Sequence, residues 1–516
     1  MKDLIKSSLI VVIVIGIGKI LGFVRDIIIS SYYGSTYITD SYFIATSIPG
    51  IVFTAIISSY LALLIPTYKR IQVEKGEKAV NLFVTRILIV FTLFSVAVTI
   101  FGYIYMAKII GFLVPNLTTK SFILTLDLAR ILIFSLPLTS IVLIIANISN
   151  ANNKYYAPHI NAIISSLFIV VCVVFFNEEY GIFIVAYSAV SAYIISLMAQ
   201  IIISGNDIKI KFKLPIIDSE IKKLTYLTIP IFIGISIDQI VIVVTNYLSA
   251  NLAEGSLSYI TYANRLQLSV YGVFSLAIST VVYPKLSSLH AQHKQEGFIK
   301  LKYEGLKIIL LAVVPLATFL AFNAHHFVSL VYLRGNFNIE DSYYTGSIFV
   351  FFAINIVFLS LKDYYLRILY VKEKTKLVLI ANVFSVIVFV LLSFYLSGII
   401  GVIGIAIGML ASTIVSFAIL LAFSLKTTGI SFYNLHSEIT KQIKFNISLF
   451  VVVLFFFSYV EMNMTIWAFM LKLLIFCVFY LICFVLILGK EYKLMQIINK
   501  YLYYFASITS KKKEKE

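Results

Sequence analysis

The first apolar segment of this chain carries three charged residues, Lys19, Arg25 and Asp26, inside a run long enough to cross a membrane. One such charge at the bilayer centre costs about 2.5 to 3.5 kcal/mol on insertion scales, so three that face lipid would cost roughly 8 to 10 kcal/mol. The segment can therefore cross a membrane only if these side chains face a wet, protein-lined interior.

Composition places the whole chain in the membrane. Of the 516 residues, 60% are hydrophobic and 13% are charged, and the mean hydropathy is +0.99. Apolar runs near the 20-residue spanning length recur from end to end. We predict an all-α polytopic membrane protein of about 14 transmembrane helices, in two six-helix lobes around a central cationic cavity, with two further C-terminal helices.

A weak internal repeat supports the two lobes. Asp26 and Asp238 each precede a polar loop and a second helix that ends near a proline, Pro66 in one half and Pro284 in the other. Parallel repeats of this kind occur in transporters. The predicted divisions are an N-lobe over 1–215, a C-lobe over 216–430, the extra helices over 431–490 and an amphipathic basic tail over 491–516.

Lysines and arginines concentrate on alternate loops, which the positive-inside rule assigns to the cytoplasm together with both termini. The net charge of +17 follows from these dispersed loop residues, which meet anionic lipid, so we expect no nucleic-acid partner. Cys172, Cys477 and Cys483 are isolated thiols without metal-ligand or disulfide spacing, and they are predicted to be packing residues.

The remaining intramembrane charges either line the cavity or pair locally. Spacing predicts local ion pairs for Asp127 with Arg130 and for Asp363 with Arg367. Arg25 and Arg265 lie deep in their helices, and Arg265 has no carboxylate within its own turn. A cationic pocket favours an anion, and arginine grips phosphate oxygens with a planar fork. No phosphate-binding loop for ATP is present, so ions, membrane potential or a substrate gradient must supply the energy.

An ordered set of motifs resembles the MurJ/MviN lipid II flippases of the multidrug/oligosaccharidyl-lipid/polysaccharide exporter superfamily. The motifs are Lys19-Ile20-Leu21-Gly22-Phe23-Val24-Arg25-Asp26, Thr39-Asp40-Ser41-Tyr42-Phe43, Pro49, Pro66, Tyr262-Ala263-Asn264-Arg265-Leu266, Leu333-Arg334-Gly335-Asn336-Phe337 and Tyr370-Val371-Lys372-Glu373-Lys374-Thr375. The resemblance covers nearly the whole chain.

The resemblance implies a non-enzymatic flippase of the bacterial plasma membrane. It would move undecaprenyl-diphosphate-linked peptidoglycan precursor to the outer leaflet by alternating access, and cell-wall synthesis proteins are among its expected partners. The substrate-binding positions that it implies are Lys19, Arg25, Asp26, Asp40 and Arg265. No cofactor is implied, but a coupling sodium ion would use Asp238 and Asn382.

Two positions depart from the family pattern. The second helix has Ile51, Val52, Phe53, Thr54 and Ser58 where a basic and then an acidic residue are usual, and Val386 stands where a carboxylate would follow Asn382. We expect Lys19 to compensate for the missing basic residue, and we expect Phe53 to face the cavity, where an arginine would be tolerated.

Three alternatives stay open. A flippase for another undecaprenyl-diphosphate glycan, such as a capsule, teichoic or exopolysaccharide precursor, would need the same cationic cavity. A cation-coupled drug exporter is disfavoured because such pumps favour acidic cavities. A membrane glycosyltransferase or polymerase would need a larger outer loop than the 324–343 segment.

Overall fold

The computed structural model describes residues 2–208, 218–278, 282–428 and 466–488, which contain fifteen α-helices and no β-strand. The helices are α1 (Lys2–Tyr33), α2 (Tyr37–Leu113), α3 (Thr119–Leu132), α4 (Ser135–Ala151), α5 (Ala157–Tyr180), α6 (Phe183–Ser204), α7 (Ser219–Ala250), α8 (Ser256–Ala277), α9 (Tyr283–Ala291), α10 (Gln295–Phe322), α11 (Ala324–Tyr332), α12 (Ile339–Val371), α13 (Thr375–Ile400), α14 (Val402–Thr428) and α15 (Ile466–Leu488). Within this part of the chain, eight helices are long and apolar enough to cross a membrane, and the bent pair α3 and α4 makes a ninth crossing if it is one span.

Helix α2 folds back on itself, and the rings of Phe53 and Tyr60 in its first half contact those of Phe94 and Phe91 in its second half. Gly76 interrupts it with a non-helical backbone (φ 75°, ψ 178°), so residues 37–75 and 77–113 run in opposite directions. The first of these segments begins at a capping box in which Thr36 and Thr39 satisfy each other's backbone N–H groups. The second ends at a turn where Asn116 hydrogen-bonds Asn251, beyond the end of α7.

The helices form the two predicted lobes. Helices α1 to α6 pack on one another, and α7 to α14 form a second group in which α12 contacts α8, α10, α11 and α14. The lobes meet where α2 packs on α7 and α8 and where α1 packs on α8 and α11, and α15 lies against α10 and α11. The all-α, two-lobe prediction is confirmed. The predicted boundaries near 215 and 430, the thirteenth predicted helix and the tail over 491–516 lie outside the described residues.

One end of the molecule is closed by three interlocking turns, and we call it the sealed end. The Asn336 backbone N–H donates to the Ser31 carbonyl at 2.7 Å, and the Asn336 side chain donates to the Tyr32 carbonyl at 2.5 Å. Asp341 caps α12 and also accepts from the Ser35 N–H at 3.3 Å. Gly335 and Gly255 adopt positive φ here, and a Cβ on either would collide with the carbonyl oxygen of Ser31 or Ser35.

Ion pairs join the lobes at the opposite end, which we call the clasp end. The Glu220 carboxylate on α7 accepts from Arg70 at 2.5 Å and from Lys75 at 2.6 Å, both on α2. Arg86, on the second half of α2, pairs with Asp218, the N-cap residue of α7. These contacts are side-chain contacts, whereas the sealed end is joined largely through backbone groups.

The close approach at Gly335 gives a stability prediction with a matched control. We expect Gly335→Ala to lower the free energy of unfolding in detergent by more than Gly401→Ala, because both glycines have φ near 60° but only the Cβ at 335 meets another atom. The left-handed backbone alone costs about 1–2 kcal/mol for alanine, and Gly335→Ala also disrupts a backbone hydrogen bond worth about 0.5–1.5 kcal/mol. Equal losses in the two variants would contradict a seal made by close approach at Gly335.

Candidate functional site

The central feature of the interface between the lobes is one carboxylate shared by two arginines. Arg25 donates to Asp26 Oδ1 at 2.9 Å from Nη2 and at 3.1 Å from Nε, and Arg265 on α8 reaches the same oxygen across the interface. Asp26 is buried, with 5% of its surface exposed, whereas the two guanidinium side chains are 27% and 25% exposed. Three of the predicted binding residues are therefore in contact, since Arg25 and Arg265 both pair with Asp26. Both guanidinium groups stay accessible.

Aromatic rings separate this cluster from the sealed end. The guanidinium of Arg265 lies 5.1 Å from the ring centre of Phe43, and Phe43 meets the Tyr262 ring edge-on at 5.5 Å. Tyr262 in turn contacts Tyr332 at 5.2 Å and Phe337 at 5.8 Å. The rings exclude water on this side and favour a cation over the face of Phe43.

Accessibility differs along α8. Its first residues, from Ser256 to Tyr262, are almost all buried, whereas Leu268 and Val273 in the second half are 48% and 64% exposed. Arg265 lies nine residues into α8, or about 13 Å from its start. Arg265 therefore lies where α8 passes from its buried first half to its more exposed second half.

Helices α1 and α8 run antiparallel, and their register brings Lys19 to the same interface. Asp26 on α1 lies opposite Arg265 on α8. Seven residues away on each helix, Lys19 lies opposite Gly272, where an added Cβ atom would overlap the Nζ atom of Lys19. Seven residues are close to two helical turns, so Lys19 and Asp26 share one face of α1. Lys19 crosses to α8 because position 272 has no side chain.

Asp40 joins the lobes in a different way. Its carboxylate accepts from the Gly255 N–H at 2.8 Å, the Ser258 N–H at 2.8 Å and the Ser258 hydroxyl at 2.6 Å. It therefore caps the first turn of α8 from α2, as an N-cap residue would from within the helix. This places Asp40 at the sealed end, apart from the Asp26 cluster.

The candidate sodium ligands lie where α7 and α13 pack. Contacts between Gly234 and Leu379, and between the rings of Tyr247 and Phe394 at 5.7 Å, show that these helices run in parallel. That register puts Asp238 level with Asn382, whose buried Oδ1 atom has no hydrogen-bond partner within the described residues. No group of three or more His, Cys, Asp or Glu side chains suited to a metal ion occurs in the part of the chain that was described.

The two predicted local ion pairs have different outcomes. Arg367 pairs with Asp363 at 3.1 Å, as predicted, and Asp363 also accepts from Ser275 at 2.9 Å. The prediction for Asp127 and Arg130 is wrong: within the described residues they form no ion pair, and Arg130 instead stacks on Tyr103 at 5.3 Å from the ring centre. The guanidinium of Arg130 therefore contacts the Tyr103 ring on α2 and not the Asp127 carboxylate on its own helix.

The expectation for Phe53 is also wrong. This side chain is only 2% exposed and stacks on Phe94, in the second half of α2, with ring centres 6.5 Å apart. It therefore packs inside the first lobe and does not face the cavity. An arginine at position 53 would bury an unpaired charge, which is strongly unfavourable.

Sequence reasoning missed the part played by Gly272. The equal spacing of seven residues from Lys19 to Asp26 and from Arg265 to Gly272 is a signal that was available. It becomes informative only once α1 and α8 are known to be antiparallel neighbours.

Comparison with known proteins gives one consistent result. The family model described as lipid II flippase MurJ matches residues 29–485 of this chain. A probable lipid II flippase MurJ of Aquifex aeolicus is 25% identical over 382 residues, or 73% of this chain and 74% of that protein. A probable lipid II flippase MurJ of Buchnera aphidicola subsp. Acyrthosiphon pisum is 26% identical over 445 residues, or 81% of this chain and 83% of that protein.

Solved structures show the same fold. A structure of a lipid II flippase MurJ in an inward closed conformation matches with a TM-score of 0.82 at 24% identity, over 94% of this chain and 99% of that chain. An inward-facing multidrug resistance MATE family transporter matches with a TM-score of 0.67 at 13% identity, over 80% of this chain and 94% of that chain. Since the family model covers most of its length, the chain belongs to the lipid II flippase MurJ family.

Proposed function

We propose that this protein moves lipid II, the undecaprenyl-diphosphate-linked peptidoglycan precursor, from the cytoplasmic to the outer leaflet of the bacterial plasma membrane by alternating access. The observation that carries the proposal is the sharing of Asp26 by Arg25 and Arg265, one arginine from each lobe. The family relationship supports the substrate.

The charge balance at Asp26 favours an anionic ligand. One carboxylate offsets one of two guanidinium groups, and Lys19 adds a further positive charge at the same interface. Unpaired positive charge within a membrane is unfavourable. A diphosphate that enters the site would neutralise this excess charge and would therefore be bound favourably. Both guanidinium groups keep free N–H donors, which can bind phosphate oxygens in bidentate fashion.

Ligand binding and lobe movement are coupled in this scheme through Arg265. A diphosphate that binds Arg265 competes with Asp26, the residue that ties α8 to α1. Loss of that tie weakens the lobe contact beneath the sealed end, so the sealed end opens as the clasp end closes further. If the head group's charge crosses uncompensated, an inside-negative potential contributes about 2.3 kcal/mol per charge per 100 mV to outward movement.

The loop charges support one orientation in the membrane. Arg70, Lys75, Lys285 and Lys300 all lie at the clasp end, while the turns of the sealed end contain few basic residues. The positive-inside rule supports a cytoplasmic clasp end, and we propose the cytoplasm for both termini as well. The site would accept substrate from the cytoplasmic leaflet and release it outside.

We also propose that a sodium ion binds between Asp238 on α7 and Asn382 on α13. A buried amide oxygen without a hydrogen-bond partner is a suitable ligand for a hard cation, and Asp238 supplies a negative charge at the same level. Val386, 8% exposed, cannot donate a further oxygen, so backbone carbonyls or water would complete the shell.

A flippase for another undecaprenyl-diphosphate glycan is the second candidate. Phe53 is packed inside the first lobe, so the second helix brings no cation from that position to the diphosphate. With fewer contacts to the diphosphate, the choice between lipid-linked substrates would depend more on contacts with the attached sugar.

Two assays test the proposed function. The first is rescue of a strain depleted of its own lipid II flippase, with surface-accessible lipid II as the readout. The second is flipping by purified protein in liposomes, with lipid II compared against another undecaprenyl-diphosphate glycan. Failure to rescue despite normal protein levels, together with preference for the other glycan, would replace lipid II as the substrate.

The shared carboxylate gives a prediction for the arginines. Arg25→Ala and Arg265→Ala should each abolish flipping at normal protein levels, and lysine at either position should restore it only in part because bidentate binding is lost. Lys108→Ala is the control, since Lys108 is exposed near the sealed end and lies over the Tyr105 ring. Wild-type flipping by both alanine variants would rule out a diphosphate clamp.

The antiparallel register gives a prediction for Lys19. Lys19→Ala and Gly272→Leu should both impair flipping, and the double variant should be no worse than either one, because each removes the same contact. Gly16→Leu is the matched control on α1, since a Cβ there meets no atom within 4 Å. Additive losses in the double variant would show that Lys19 and Gly272 act separately.

The cation site gives a prediction on ion dependence. Flipping in liposomes should fall when sodium is replaced by potassium, and Asp238→Asn should remove that difference because the negative charge is lost. Asp363→Asn is a comparison variant, because Asp363 already pairs with Arg367. Equal flipping by the wild-type protein in the two salts would argue against sodium coupling.

A further inference from the structure

A lysine on α12 lies at the level of the proposed sodium site. Lys362 is nine residues before the end of α12, about 14 Å from the turn that joins α12 to α13. Asn382 is seven residues after the start of α13, about 11 Å from the same turn. Since the parallel register of α7 and α13 puts Asp238 level with Asn382, the three residues lie at one depth in the second lobe.

Asp238 and Lys362 interact through their charges but are not in direct contact. Each lies within the electrostatic reach of the other, and the charge of Asp238 also reaches Tyr370, about two turns further along α12. Within the described residues, neither side chain has a hydrogen bond or a direct ion pair. Asp238 is exposed and Lys362 is half-buried. A gap that a small ion can enter therefore separates the two charges.

The other charged residues of this region already have partners. Asp363, next to Lys362 in the chain, accepts from Arg367 at 3.1 Å and from the Ser275 hydroxyl at 2.9 Å. Of the two carboxylates, Asp238 interacts with Lys362 more strongly than Asp363 does. Asp238 is therefore the counter-ion left for Lys362, and the four charges of the region, two of each sign, sum to zero.

This neutral balance opposes the binding of a further cation. A sodium ion beside Asp238 would leave one excess positive charge inside the membrane, which is unfavourable. The two cations also need the same atoms, because an ammonium group donates hydrogen bonds to the oxygens that a sodium ion would bind. The Asn382 Oδ1 atom, without a hydrogen-bond partner within the described residues, is one of these oxygens. Lysine has a flexible four-carbon stem, so its ammonium group can approach or leave them.

We propose that Lys362 and a sodium ion compete for the Asp238 carboxylate, so that Lys362 sets the sodium concentration at which the site fills. The inference rests on the proposed function, because it takes the sodium site between Asp238 and Asn382 as given. Without sodium, the ammonium group of Lys362 offsets the charge of Asp238. When sodium binds, it takes the place of the ammonium group, which moves away. The carboxylate therefore has a cation partner in both states.

Sodium binding to the full-length protein in detergent tests the proposal. Radioactive sodium is titrated in a scintillation proximity assay, with choline chloride holding the ionic strength constant. Lys362→Met should lower the sodium concentration for half-maximal binding by roughly tenfold, because it removes a like charge beside the ion and keeps a side chain of similar length. Lys362→Arg keeps the charge and should show no such gain. Asp238→Asn should abolish binding.

Lys376→Met is the matched control for the loss of one positive charge. Lys376 is exposed in the first turn of α13, the helix that carries Asn382, and its charge is screened by solvent and salt. This variant should therefore bind sodium with the wild-type affinity. An equal gain in Lys376→Met and Lys362→Met would show a general effect of net charge and would overturn the proposal.

Chemical labelling of the wild-type protein gives a test that needs no variant to fold. Acetic anhydride, followed by peptide mass spectrometry, should modify Lys362 several-fold faster in sodium chloride than in choline chloride, because the displaced ammonium group is no longer held by Asp238. Lys376 should be modified at the same rate in both salts. Equal labelling of Lys362 in the two salts, in protein that binds sodium, would contradict the competition.

The outcomes separate this proposal from the sodium site itself. Equal sodium affinity of the wild-type protein and Lys362→Met, with no binding by Asp238→Asn, would overturn the competition and leave the site in place. No binding by either the wild-type protein or Lys362→Met would overturn both. Binding by Lys362→Met alone would support the competition and argue against sodium coupling of flipping. Movement of lipid II is measured separately and is not decided by these results.

Discussion

The structure depends on one constraint, the unfavourable free energy of a charge within a membrane. Asp26 meets this constraint for Arg25 on its own helix and for Arg265 on the other lobe. Because the partner of Asp26 lies on α8, the contact sets how α1 and α8 pack and which residues face each other along them. Lys19 and Gly272 are brought together by the same register.

The two ends of the molecule are closed by different kinds of contact. The sealed end uses backbone hydrogen bonds and close approach at Gly255 and Gly335, which leave little room for adjustment. The clasp end uses ion pairs from Arg70 and Lys75 to Glu220, and these basic side chains are 32% and 48% exposed. Their shared partner Glu220 is only 13% exposed, and the Arg86 and Asp218 pair at the same end is also largely buried. The clasp end is therefore closed by ion pairs between side chains, and the sealed end by the approach of one backbone to another.

The charged residues within the membrane-spanning helices are accommodated in three ways. The Asp26 carboxylate joins two lobes, the Asp363 and Arg367 pair lies along one helix, and Asp127 and Arg130 line a cavity in the first lobe. The first route suits a site that must change during transport, since its partners move with different lobes. The second, the pair of Asp363 and Arg367, involves only α12 and can persist while the lobes move.

Sequence alone determined the all-α fold, the two lobes and the protein-facing position of Arg25 and Arg265, because apolar length and the energetics of intramembrane charge are properties of single segments. It also determined the Asp363 and Arg367 pair, whose partners are neighbours on any α-helix. Tertiary structure decided the rest. Tyr103 draws Arg130 away from Asp127, Phe94 holds Phe53 inside the lobe, and Gly272 receives Lys19. Helical periodicity specifies which residues share a face, but which faces meet is set by the packing of helices distant in the chain.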